Sequence, residues 1–260
     1  LEVMLAARWL GALWCPINWH FKTDEVNYIL SDSGARVFVA DRELLAGLGG
    51  LEYHGGTSFV AQRDGGRISG VGPEGGWEAA RDAAPPLAAE PCAPRGAMFY
   101  TSGTTGRPKG IKRAAATAEQ AERGLEVLKH VLGFEPGMRA LVSAPMYHSA
   151  PNSYCIGAAQ MSAELFIEER FDAERTLQLI EAQRLTHAYL VPTMYVRLLA
   201  LPDSMKQRYD LSSMRFVAST GSPCAPDIKR AMIDWWGPVI HEAYGASELG
   251  YMTRLDSLEA

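Results

Sequence analysis

The sequence predicts an α/β fold of layered, mostly parallel sheets flanked by helices, and three observations lead there. From about residue 96 onward, strand-like and helix-like segments alternate with lengths that suit parallel crossover units. Before that point two helical patterns and then one buried strand follow each other, an order consistent with a layered α/β arrangement. At 260 residues, with 47% hydrophobic and 21% charged, the chain has enough apolar material for one large domain or two small ones with proper cores.

The elements follow in order. Apolar residues recur at helical spacing from residue 1 to about 14, and "TDEVNYILSDSG" repeats the pattern, with Thr23 as the expected N-cap and Gly34 as the C-cap. "RVFVA" at 36–40 reads as a buried strand. Residues 46–96 are rich in Gly, Ala and Pro and are expected to form a loose excursion, with "SFVA" at 58–61 as its one strand. Strands are then expected at "AMFYTSG", "RALVSAP", "AELFIEE", "HAYLVP", "RFVAST" and "PVIHEAYG". The helices between them fall at 115–132, 150–162, 172–184, 193–201 and 226–236. No internal repeat is visible. The expected domains are a first α/β subdomain over 1–95 carrying the Gly/Pro-rich excursion, and a second over 96–260.

Bulk properties exclude several classes of function. A formal net charge of -5 without a basic run argues against nucleic acid as the main partner. Cys15, Cys92, Cys155 and Cys224 lie far apart with no CxxC pair, so neither a zinc site nor a disulfide framework is indicated, and buried reduced thiols in the cytoplasm are expected. The longest apolar stretch, residues 3–14, is broken by Arg8 and is too short to span a bilayer. The chain opens on Leu-Glu-Val, and its closing "RLDSLEA" reads as the middle of a helix. A longer parent protein is therefore expected.

Chemistry is expected where strands end, because open α/β sheets bind ligands at the carboxyl ends of their strands. The clearest such stretch is "YTSGTTGRPKG", residues 100–110. Gly103 and Gly106 let the backbone approach an anion, Thr101, Ser102, Thr104 and Thr105 offer hydroxyl donors, Lys109 adds positive charge, and Pro108 stiffens the exit. Such a loop suits a polyphosphate. It is not a Walker A loop, since that pattern requires GxxxxGK[ST] and here the lysine stands between Pro108 and Gly110. His241 and Glu242 begin an HExxH-like string, but no second histidine follows, which excludes a zinc protease.

"YTSGTTGRPKG" resembles the phosphate-loop signature of the adenylate-forming enzyme superfamily, which includes acyl- and aryl-CoA synthetases, adenylation domains of peptide synthetases and firefly luciferase. Two further regions resemble the same family in the expected order: "PMYHSAP" at 145–151, and "STGSPCAP" at 219–226 with "HEAYGASE" at 241–248. The resemblance implies that Thr101, Ser102, Gly103, Thr104, Thr105, Gly106 and Lys109 hold the β- and γ-phosphates of ATP. It further implies that Gly221, Ser222 and Pro223 border the adenine, that Tyr244 stacks on it, that Ser247 bonds near the α-phosphate, and that Glu242 and Ala243 belong to the nucleotide-binding set. Thr101 and Glu248 would hold Mg2+, and Tyr147, His148, Ser149, Gly221 and Gly245 would line the carboxylate pocket. Lys109, His148 and Glu248 are the implied catalytic residues, His148 as a gate or polar contact rather than a general base.

Each role has a rival reading: core packing for Tyr244, a solvated surface charge for Glu248, an ordinary structural histidine for His148. Their joint occurrence behind the phosphate loop favours the site. By resemblance the reaction is attack of a carboxylate on the α-phosphorus of ATP, release of pyrophosphate, and transfer of the acyl group from the adenylate to coenzyme A. No acidic residue in 145–151 would pair a substrate ammonium, and the apolar "NSYCIGAAQM" and "LVPTMYVRLL" suit a fatty or aryl acid. Two departures stand out. "GIKRAAAT" lacks the family's Ser-His pair, and Ser247 replaces the more usual threonine. The family's ribose-binding aspartate, hinge and small C-terminal domain would lie beyond Ala260, so this length of chain alone is expected to be nearly inactive. Rival functions are loading of a carrier-protein thiol and a non-catalytic nucleotide-binding module; a homodimer is allowed for.

Overall fold

A computed structural model describes residues 1–52, 57–61, 76–88, 90–101, 108–161 and 163–259. These fall into two compact units, residues 8–113 and residues 1–7 with 114–260. The division keeps 96–113 with the first unit, whereas the sequence places the break at 95/96.

The first helix, α1 (Glu2–Trp9), runs from one unit into the other in sequence and stops well short of residue 14. Gly11 explains the stop: its φ is +61°, and a Cβ there would sit 2.8 Å from the Cβ of Cys92. In the unit 8–113, α2 (Thr23–Ser33) buries Val26, Ile29 and Leu30, an i, i+3, i+4 stripe. Its start corrects the sequence expectation by one residue. Lys22 holds the N-cap position and its amide donates to the Glu25 carboxylate at 2.9 Å, while Gly34 closes the helix in the left-handed conformation at φ 63° as expected.

Strand β1 (Val37–Asp41) leads into α3 (Arg42–Ala46), capped by Asp41, and pairs in parallel with β2 (Thr57–Ala61). A further helix, α4 (Gly76–Ala83), lies inside the stretch expected to be a loose excursion. The strands flanking the expected phosphate loop are paired: β3 (Phe99–Thr101) runs antiparallel to β4 (Lys109–Ile111), a strand the sequence reading missed. Helix α2 is tied to this pair by Tyr100, whose hydroxyl donates to Asp32 at 2.6 Å, and by Tyr28, whose hydroxyl donates to the Pro108 carbonyl at 3.1 Å.

The larger unit carries α5 (Ala118–Leu132), β5 (Arg139–Val142), α6 (Ser149–Gln160), β6 (Glu164–Ile167), α7 (Ala173–Gln183) and β7 (His187–Leu190). It continues with α8 (Pro192–Leu199), α9 (Asp203–Lys206), β8 (Phe216–Ser219), α10 (Pro226–Trp236), β9 (Ile240–Ala246) and β10 (Gly250–Leu255). Its sheet has the order β10-β9-β8-β7-β5-β6, parallel throughout except for β10, which runs antiparallel to β9.

The central strands read as unbroken apolar runs because both their faces are covered: Ala140, Leu141, Val142, Ala188, Tyr189, Leu190, Val217 and Ala218 are all buried. Helices contribute Tyr154, Cys155, Leu177, Ile180, Tyr195, Leu198 and Met232 to the same core. Each such leucine or isoleucine is worth about 1.5–3 kcal/mol of transfer free energy.

Two further expectations are corrected. The segment read as helical at the end of the chain is β10 and a turn: the 247–249 turn and Gly250 at φ +84° fold the chain back onto β9. Of the four thiols, all unpaired, Cys155 is buried, Cys15 and Cys224 are half-buried, and Cys92 is exposed. Among the described residues, no helix is long and apolar enough to cross a membrane.

Candidate functional site

Three of the stretches singled out by sequence, 145–151, 219–226 and 241–248, lie at or run up to the carboxyl ends of β5, β8 and β9. Parallel alignment of these strands brings their ends to one edge of the sheet, which is where α/β folds bind ligands.

The loop after β5 is held from below. Ser143, nearly fully buried, donates to Glu168 at 2.6 Å, and the buried Asn152 of α6 donates to the Met146 carbonyl at 2.9 Å. These bonds place Tyr147 and His148 at the start of α6, with His148 in the N-cap position and the two rings 4.3 Å apart. His148 retains substantial exposure, yet the partial burial of its ring lowers its pKa, so the imidazole is neutral at pH 7. That state can donate or accept a hydrogen bond and carries no charge.

Two bonds join the three stretches. The hydroxyls of Ser149 and Ser247 lie 2.9 Å apart, linking the start of α6 to the β9–β10 turn. The Cys224 amide donates to Glu242 Oε1 at 3.2 Å, linking the 220–225 loop to β9. Gly221, Ser222 and Pro223 are exposed on that loop, with Gly221 at φ +96°. Tyr244 is 65% exposed, so core packing, its rival reading, does not describe it. Ala243 is buried, and its methyl belongs to the core; only its backbone is left to meet a ligand. Gly245 is required by the hairpin: a Cβ there would lie 2.5 Å from the Gly250 carbonyl oxygen.

Glu248 stands exposed in the β9–β10 turn. In the other unit, Thr101 ends β3 and Lys109 begins β4, and the two are register partners across the strand pair. The expected phosphate-binding residues Ser102, Gly103, Thr104, Thr105 and Gly106 lie outside the described residues. Among the described residues, no three His, Cys, Asp or Glu side chains are grouped to hold a metal. Thr101 and Glu248, the two residues expected to hold Mg2+, belong to different units, and each offers an oxygen of the kind that such an ion takes.

His241 is accounted for elsewhere. Its ring stacks on Phe216 with centroids 3.9 Å apart, and Arg254 donates to its Nδ1 at 3.2 Å. Burial first and Arg254 second pull its pKa down to about 4.

Sequence reasoning missed Asn152 and Lys229. Asn152 was legible as the polar residue inside the apolar run of α6. Lys229 was legible as a cation on the buried stripe of α10, shared with Met232 and Trp236.

Comparison with known proteins follows the same lines. The sequence pattern described as "AMP-binding enzyme" matches residues 1–259. A feruloyl-CoA synthase from Amycolatopsis sp is 31% identical over 252 residues, covering 95% of this chain and 47% of that protein. An indoleacetate–CoA ligase from Aromatoleum aromaticum is 30% identical over 267 residues, covering 95% and 48%. The crystal structure of ATP-bound MatB from Rhodopseudomonas palustris superposes with a TM-score of 0.75 at 26% identity, covering 98% of this chain and 49% of that one. The chain spans about half the length of the curated relatives it matches.

Proposed function

We propose, because the chain belongs to the AMP-binding enzyme family, that the full-length protein activates a carboxylic acid with ATP and passes the acyl group to the thiol of coenzyme A. The observation that carries this reading is the junction of the "PMYHSAP" and "HEAYGASE" stretches at the sheet edge, through Ser149 and Ser247 2.9 Å apart.

In the proposed reaction a carboxylate oxygen attacks the α-phosphorus, the bond from that phosphorus to the bridging oxygen breaks, and pyrophosphate leaves with the bonding pair. A mixed anhydride with AMP remains. The thiol sulfur of coenzyme A then attacks the acyl carbon, its proton goes to solvent, and AMP departs. Both substrates of the first step are anions, so the protein must offset repulsion. Mg2+, borne by the triphosphate and held by Glu248 and Thr101, would supply the largest positive charge.

Lys109 and the glycine-rich residues before it would bind the β- and γ-phosphates. Tyr244 would offer its exposed ring to the adenine beside Gly221, Ser222, Pro223, Glu242 and the Ala243 backbone. Ser247 would donate near the α-phosphate. Neutral His148 suits a polar contact to the carboxylate, with Tyr147, Ser149 and Gly245 around it.

For the acid class, an aryl acid has the better support. Two relatives are named for aryl substrates, ferulate and indoleacetate, and residues 145–151 contain no carboxylate to pair a substrate ammonium.

The test is carboxylate-dependent exchange of labelled pyrophosphate into ATP by the full-length protein, without coenzyme A, against panels of aryl, fatty and amino acids. Exchange with aryl acids is expected. Exchange with amino acids alone would overturn the acid class, and silence across all panels would overturn the activation itself in favour of a non-catalytic nucleotide-binding module.

A further inference from the structure

Lys229 sits in the first half of α10, and the residue is only 3% exposed. Lysine is almost never buried so fully without a counter-charge, because its ammonium is strongly hydrated in water. Among the described residues its Nζ has no hydrogen-bond partner, and it forms an ion pair with Glu242 Oε2 at 3.7 Å. The other carboxylate oxygen, Oε1, accepts from the Cys224 amide at 3.2 Å. Glu242 is thus held at both oxygens, by α10 and by the loop that precedes it.

Glu242 lies two residues before Tyr244 on β9, so the two-residue period of a strand puts both side chains on one face. Its side chain is 23% exposed while Lys229 is sealed below it. A carboxylate only accepts hydrogen bonds, and the edge of adenine that distinguishes it from hypoxanthine is an amino donor.

We propose that Lys229 is a positioning residue: its buried ammonium fixes the Glu242 carboxylate beside Tyr244 as an acceptor for the amino edge of the purine. The proposal rests on the nucleotide site proposed above, and it assigns a role to a residue outside the three sequence stretches that define that site.

The experiment measures binding of Mg-ATP and of Mg-inosine triphosphate, which lacks the amino group, by calorimetry on the full-length protein. The proteins compared are the unsubstituted one, Lys229→Met, Glu242→Leu and the double variant; pyrophosphate exchange is run on the same samples. Lys229→Met is expected to weaken ATP binding about tenfold and leave inosine triphosphate unchanged, with the double variant no weaker than the worse single one. Equal weakening toward both nucleotides, no weakening at all, or multiplying effects in the double variant would overturn the proposal.

If Lys229→Met does not fold, Glu242→Leu decides, since leucine offers no acceptor and a retained preference for ATP over inosine triphosphate there is equally fatal. ATP binding without exchange by the unsubstituted protein would sink the activating function while leaving Lys229 judged by affinity. Absence of ATP binding would sink both.

Discussion

Ser149 and Ser247 are 98 residues apart in the chain, and their hydroxyl oxygens are 2.9 Å apart in space. One begins α6 after the loop that leaves β5; the other opens the turn between β9 and β10. Their bond fixes the distance between the stretch proposed to meet the acid and the stretch proposed to meet the α-phosphate.

Removing either hydroxyl should loosen that junction. Ser247→Ala and Ser149→Ala are each expected to lower the pyrophosphate exchange rate of the full-length protein by about 2- to 10-fold, the range of one hydrogen bond. Combining them should cost less than the product of the two, and a full product in exchange assays would show that the pair acts independently.

Tyr244 offers a sharper separation of binding from folding. Because it is 65% exposed, Tyr244→Ala should leave the melting temperature within about 2 °C while raising the KM for ATP about tenfold or more, as expected for a lost stacking platform. Tyr244→Phe should behave nearly as the parent protein does. A melting temperature that falls with the KM would place the ring in the fold instead.

Asn152 is 2% exposed and its amide is spent on the Met146 carbonyl. Asn152→Ala leaves that carbonyl without its donor, and a loss of about 1–3 kcal/mol in unfolding free energy is expected by denaturant titration. The loop carrying Tyr147 and His148 depends on this anchor, so exchange activity should fall together with stability.

Gly245 tolerates no side chain. A Cβ would lie 2.5 Å from the Gly250 carbonyl oxygen and 3.0 Å from the Tyr251 Cα, both backbone atoms of the paired strand. Gly245→Ala should therefore push β9 and β10 apart at a cost of about 1–3 kcal/mol, visible as a lower melting temperature, and should displace Ser247 and Glu248 enough to abolish most exchange.

Stability should also depend on pH through His241. Its folded pKa is about 4 against an ordinary value of 6.5, because burial and Arg254 disfavour the charged ring. Between those two values the unfolded chain binds the proton and the folded chain does not, so stability rises with pH across the window and is lost as pH falls from about 6.5 toward 4. His187, buried and likewise lowered, adds in the same direction. His241→Gln should flatten the melting-temperature profile over this range; an unchanged slope would show that the ring is not the titrating group.

The amino-acid sequence alone determined the elements whose signals are local. Helix α10 begins and ends where the pattern from Pro226 to Trp236 predicts, and α5 carries its own capping box of Thr117 and Gln120. The central strands are apolar after their first residues because the parallel sheet is covered on both faces, and that reads directly as runs such as "RALV" and "HAYL". The glycine- and hydroxyl-rich stretch 100–110 was legible in the same way, since such a loop needs no partner to be noticed.

Tertiary structure decided everything that depends on pairing across long separations. Strands β4 and β10 exist because a neighbouring strand supplies their hydrogen bonds; taken alone, the short segments "KGI" and "GYMTRL" show no period that separates strand from helix. Contact between Ser149 and Ser247, the sealing of Lys229 against Glu242, and the open face of Tyr244 likewise have no local signature. A side chain's own sequence neighbours set its propensity, but its burial and its counter-charge come from residues that only the folded chain brings within a few ångströms.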